Sequence, residues 1–118
     1  MTRAIVLFAH GARDPRWAEP FEAVAARVRA ADASLQVRLA YLELMTPTLQ
    51  EAGRDLALAG CDRVEIVPLF LGAGGHVKED IPRLIASANP AVPVSVDPPI
   101  GEQARLIEAI AEGIASPR

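Results

Sequence analysis

Four short apolar runs alternate with four amphipathic stretches along this chain. Arg3–Ala9 is continuously apolar after its first residue, as expected of a strand covered on both faces and central in a sheet. Trp17, Phe21, Val24, Ala25 and Val28 then recur at helical spacing, with Glu19, Glu22, Arg27 and Arg29 mostly off that stripe, which predicts a first helix over 16–31. Gln36–Glu43 reads as a second strand. Thr46 and Pro47 suit the cap and first position of a helix running to Ala59, and Gly60 suits its left-handed end.

Arg63–Phe70 reads as a third strand, in which Pro68 cannot donate to a ladder, so regular pairing is expected to fail toward its carboxyl end. A glycine-rich loop, Leu71–His76, leads to a helix near Lys78–Ala88 whose buried face is Ile81, Leu84 and Ile85. Pro82 is tolerable there only close to the first turn. A short strand, Pro93–Asp97, a turn at Pro98–Gly101, and a last helix carrying Leu106, Ile107, Ile110, Ala111 and Ile114 complete the order βαβαβαβα.

Strict alternation of this kind predicts an α/β fold, a three-layer doubly wound sandwich around a four-stranded parallel sheet. The expected strand order is 2-1-3-4, which puts the switch point between strands 1 and 3. The 118 residues are read as one domain, 1–118, with no confirmed internal repeat, and this length supports a core without disulfides. The first apolar run is too short to span a membrane and leads into His10–Pro15 instead of a cleavage site, so cytoplasmic residence is the expectation.

Charge and cysteine content narrow the chemistry. A net charge of -3 gives no basic footprint for nucleic acid, and the single cysteine, Cys61, excludes a disulfide framework or a multi-cysteine metal site within one chain. No Walker loop and no serine nucleophile elbow occur, so ATP use and covalent hydrolysis are unsupported.

What remains is concentrated at the carboxyl ends of the strands, where open α/β sheets bind ligands. The only two histidines, His10 and His76, follow strands 1 and 3, and Glu43 ends strand 2. Two imidazoles and a carboxylate suit a borderline divalent metal and leave coordination positions open. Each histidine taken alone reads first as a loop residue making a local hydrogen bond, and Glu43 alone reads equally as a solvated carboxylate. Gly72, Gly74 and Gly75 can let backbone amides approach an anion, while Arg13, Arg16 and Lys78 flank the two histidine loops and can pair with ligand carboxylates.

With His10–Pro15, Tyr41–Glu43, Val67–Leu71 and Gly74–Pro82 in this order, the chain resembles the class II tetrapyrrole chelatases, and most of all the short sirohydrochlorin chelatases of the CbiX type. The likeness runs from the first strand to the third helix; after about Asn89 it is one of length and pattern. It implies insertion of Co2+ or Fe2+, with Ni2+ a further option, into sirohydrochlorin or a related anionic tetrapyrrole, without ATP or an organic cofactor, for cobalamin or siroheme synthesis. His10 and His76 match the family's metal-site histidines and Glu43 the associated carboxylate. Longer relatives hold two such domains around a common cleft, so a short chain is expected to build that cleft as a homodimer. Many relatives read His-Gly-Ser-Arg, whereas Ala12 here removes the hydroxyl.

In the chemistry this implies, His10, His76 and Glu43 hold the ion, the macrocycle brings its ring nitrogens to it, and an unoccupied histidine or Glu43 accepts the two pyrrole protons. Arg13, Arg16, Gly74, Gly75 and Lys78 would hold the substrate. A carrier of metal or tetrapyrrole without turnover is the alternative. A histidine phosphatase, suggested by His10-Gly11, is disfavoured because Ala9 stands where that family has an arginine.

Overall fold

A computed structural model describes residues 3–72, 79–83, 85 and 92–117. Its strands are β1 (Arg3–Ala9), β2 (Gln36–Tyr41), β3 (Arg63–Pro68) and β4 (Val94–Val96), and all neighbouring pairs are parallel in the order β2-β1-β3-β4. The expected topology is therefore the observed one. β1 is central: it pairs with β2 from Ala4↔Gln36 to Ala9↔Tyr41 and with β3 from Arg3↔Arg63 to Phe8↔Pro68. All its residues after Arg3 are buried, as the unbroken apolar run requires.

Period-two alternation along the strands divides the core into two layers. On one face Ala4, Val6, Phe8, Ala40, Val64 and Ile66 meet Leu49, Ala52 and Leu56 of helix α2 (Leu49–Leu58) and Ile81 of a helical segment at 79–83, here α3. On the other face Ile5, Leu7 and Val37 meet Ala25 of helix α1 (Glu19–Ala31), with Val28, Leu35, Leu39 and Val67 packed around them. The last helix, α4 (Ala104–Ala115), follows a short turn, Ile100–Glu102, and buries none of its residues.

Local differences from the pattern have definite causes. The first helical stretch begins as a tight 3-10 turn, Pro15–Ala18, and becomes α-helical at Glu19. The row it turns to the sheet is the buried Ala25 with the partly buried Phe21 and Val28, so Val24, one position from Ala25, is turned aside and is 41% exposed. The expected cap at Thr46 is not used. Thr48 accepts from the Glu51 amide while the Glu51 carboxylate accepts from the Thr48 amide, a reciprocal box that starts α2 at Leu49, after a cis Thr46–Pro47 bond. At the other end of α2 the Gly60 and Cys61 amides donate to Ala57 and Leu56 carbonyls, closing the helix and burying Cys61 in the core.

β3 stops at Pro68, which has no amide to donate, although the Leu69 amide just beyond it still reaches the Phe8 carbonyl of β1. β2 stops at Tyr41, two residues before the expected Glu43, because Leu42 and Glu43 bend over the end of β1. β4 is three residues long. Of the third helix, 79–83 and 85 are helical, with Ile81 buried and Ile85 packed on the core; Leu84 lies outside the described residues. Among the described residues no helix is long and apolar enough to cross a membrane.

Candidate functional site

The carboxyl ends of β1 and β2 are joined by main-chain bonds that carry the first two candidate residues to one place. The Leu42 amide donates to the Ala9 carbonyl at 2.9 Å, and the Glu43 amide donates to the His10 carbonyl at 3.1 Å. Gly11 makes this approach possible: its φ is +99°, and a Cβ at that position would overlap the carbonyl oxygen of Glu43. Beyond Glu43, Leu44 takes φ 65°, and the Tyr41 amide donates to the Pro47 carbonyl at 2.9 Å, which turns the chain back toward α2.

The outcome is a close pair of side chains. His10 Nε2 lies 3.3 Å from Glu43 Oε1, with the side chains 47% and 57% exposed. Two donors each about 2.1 Å from one ion are separated by this distance when the angle at the ion is about 104°, close to tetrahedral. The pair can therefore grip one divalent ion from one side while the other side stays open to solvent. Without an ion the same distance allows an ion pair when the imidazole is protonated.

The imidazole is also backed by an aromatic ring. Phe70 lies edge-to-face against His10, with centroids 6.3 Å apart and planes at 76°. Gly11 and Phe70 lie in the His10–Pro15 and Val67–Leu71 blocks that carry the family resemblance, but nothing in the sequence gives either a role beside His10: Gly11 shows only as a glycine directly after a strand-end histidine, and Phe70 stands sixty residues away.

The remaining candidates divide. Arg13 is exposed in the loop after His10. Arg16 is taken up by Asp14, with Nη2 donating to Oδ2 at 2.7 Å and Nε to both carboxylate oxygens at 3.1 Å. Those bonds, with a further one from the Arg16 amide, hold the Asp14 carboxyl below its ordinary range. Asp14 thus caps the 3-10 turn and orients Arg16. His76, Gly74, Gly75 and Lys78 lie outside the described residues. Among the described residues no group of three or more His, Cys, Asp or Glu is placed to hold a metal ion; His10 and Glu43 stand as a pair.

The model of the CbiX family matches residues 4–116, nearly the whole chain. The chain belongs to the CbiX family. Among its CbiX relatives, the sirohydrochlorin cobaltochelatase of Methanopyrus kandleri is 38% identical over 82 residues, 70% of this chain and 57% of that protein. The chain spans 57%, 64% and 62% of three such cobaltochelatases. A crystal structure of a CbiX protein from Marinobacter aquaeolei superposes with a TM-score of 0.83 at 33% identity, covering 95% of this chain and 93% of that one. The sirohydrochlorin chelatase SirB of Bacillus subtilis, in complex with cobalt, superposes with a TM-score of 0.80 at 27% identity; the match covers 97% of this chain and 50% of SirB.

Proposed function

We propose that this chain is a sirohydrochlorin chelatase, a single domain that inserts a divalent metal into an anionic tetrapyrrole without ATP or an organic cofactor and works in the cytoplasm as a homodimer. The observation that carries the reading is the 3.3 Å separation of His10 Nε2 and Glu43 Oε1 at the sheet edge, a spacing suited to two ligands of one ion. The names of the cobaltochelatase relatives favour Co2+ and cobalamin synthesis, and SirB has been seen with Fe3+ as well as cobalt, so Fe2+ and siroheme are the second metal and pathway.

In this reading the ion enters first as substrate, held by His10 and Glu43 from one side and by His76 from the glycine loop. Open coordination positions then accept the ring nitrogens of the macrocycle. Two pyrrole protons must leave as the metal–nitrogen bonds form. Glu43 and His10, each released from the ion as those bonds replace theirs, accept one proton apiece. Arg13, Arg16, Lys78 and the amides of Gly74 and Gly75 hold the substrate's carboxylates, with Arg16 shared between Asp14 and the ligand.

A second copy of the chain supplies the facing wall. The match to half of SirB, against nearly all of the Marinobacter protein, supports a cleft made from two units of this size. So does α4, whose Ile107, Ile110 and Ile114 are 48%, 43% and 68% exposed along one stripe. An antiparallel pairing of two α4 helices about a two-fold axis would bury these stripes and bring Arg105 toward the partner's acidic end of α4.

The test is the absorbance change of sirohydrochlorin on taking up Co2+, Fe2+ and Ni2+, each against a protein-free control. Turnover above the spontaneous rate is expected, with His10→Ala lowering it by about 10²-fold or more. Stoichiometric binding without acceleration would make the protein a carrier. Equal rates in wild type and His10→Ala would remove the site.

A further inference from the structure

Phe70 does something at this site that metal ligation does not require. His10 is half-exposed, so burial does not hold its ring, and the side-chain contacts described for it are Glu43 and Phe70. Phe70 is anchored: its ring is buried and also meets Phe8 edge-on, with centroids 6.0 Å apart, and Phe8 is fully buried in the α2-side core. A continuous aromatic path therefore runs from the core through Phe70 to the imidazole.

The backbone of Phe70 is fixed from both sides. The Leu69 amide donates to the Phe8 carbonyl at 2.8 Å, and the Gly101 amide donates to the Phe70 carbonyl at 3.0 Å. Gly101 also sits so close that a Cβ on it would overlap the carbonyl oxygen and carbonyl carbon of Leu71. The turn Ile100–Glu102 thus presses on 70–71 as Gly11 presses on Glu43.

We propose that Phe70 is a positioning residue for His10: its ring, set nearly perpendicular to the imidazole, fixes the imidazole plane with Nε2 toward Glu43, and Gly101 fixes the depth of Phe70. A ligand held in its bound orientation loses less rotamer freedom when the metal arrives, which is how groups around a metal site raise affinity without touching the ion. The proposal rests on the reading of His10 as a metal ligand.

The test separates the two ideas. In the wild-type protein, ring-to-ring nuclear Overhauser contacts between Phe70 and His10 are expected without any substitution, and their absence overturns the proposal. Phe70→Leu and Gly101→Ala are expected to move the His10 ring resonances. Both should weaken Co2+ binding, followed by visible absorption in the absence of tetrapyrrole, by roughly tenfold. In turnover kcat should fall while KM for the tetrapyrrole holds. Leu56→Val removes bulk from the same core layer, and Gly113→Ala adds a Cβ where nothing lies within 4 Å; neither should weaken Co2+ binding. If Leu56→Val weakens Co2+ as much as Phe70→Leu at equal loss of thermal stability, Phe70 is only core. If His10→Ala leaves Co2+ affinity unchanged, the ligand reading falls, while the resonances still report whether Phe70 orients the ring.

Discussion

The two sides of the sheet, β2–β1 and β3–β4, are built by opposite means. On the first, six consecutive register pairs tie strands with buried residues, α1 and α2 cover both faces, and main-chain bonds continue past the strand ends to join His10 to Glu43. On the second, three register pairs tie β3 to β4; the α1-side face carries Arg63, Glu65 and Ser95, and α4 leaves its isoleucines in solvent. The first side is finished by its own core. The second side is left open, with apolar surface on α4 exposed among the described residues, and a second copy of the chain is its proposed cover.

The sharpest way to break the finished side is at Gly11. Gly11→Ala puts a Cβ into the Glu43 carbonyl at a φ that side chains rarely adopt, so the two strand ends must separate. A loss of at least about 2 kcal/mol in chemical denaturation is expected, together with loss of Co2+ uptake, since His10 and Glu43 no longer share one position. Wild-type stability and activity in this variant would mean that the joint is loose.

The unfinished side should respond differently. Ile110→Asp places a charge in the exposed stripe of α4. Sedimentation is expected to show the wild type as a dimer and the variant as a monomer, with the unfolding free energy of the monomer changed by no more than about 0.5 kcal/mol. Chelatase turnover should fall with the dimer. A wild type that sediments as a monomer at tens of micromolar, on the order expected for stable assemblies of this kind, would remove α4 as the contact.

The contrast also explains what was legible beforehand. β1 announced itself because a strand covered on both faces is apolar throughout, and the order 2-1-3-4 followed from alternation and the handedness of crossovers. Thr46-Pro47 imitates a cap followed by proline, two residues before Thr48, which with Glu51 three residues on is the reciprocal pair that forms. Spacing alone admits Val24 to the apolar stripe of α1; which row faces the sheet is decided by Ala25, the small residue that lets the helix approach. His10 and Glu43 were legible as strand-end residues, but their meeting depends on Gly11 and on a bend after Tyr41 that no local pattern encodes. Phe70 against His10 is a contact across sixty residues of chain, visible only once β1 and β3 are adjacent.

The smallest effect lies in the polar face of β3–β4, and its sign can be worked out. Asp97, just beyond β4, has its pKa raised to about 6, first by its hydrogen bond to Glu65, then by burial and by the charge of Glu65, with Arg3 opposing. Glu65 is lowered by the same bond and by Arg3, whose Nη2 donates to Oε1 at 2.9 Å. The Asp97 contribution to stability is complete below its ordinary value of 3.8 and is lost as pH rises through about 6; that of Glu65 is present above 4.5 and lost in acid. One protonated and one ionised carboxyl therefore suit this edge best in mildly acidic solution, and above pH 6 two charges face each other with Arg3 and Arg63 nearby. Asp97→Asn keeps a donor for Glu65 and removes the titration. Between pH 5 and pH 7.5 the wild type is expected to lose about 1 kcal/mol or less more than the variant, discounted for solvent screening at an open edge. Thermal unfolding of both proteins at the two pH values measures it, and parallel slopes would mean that β4 is held by its three register pairs without help from the carboxyl pair.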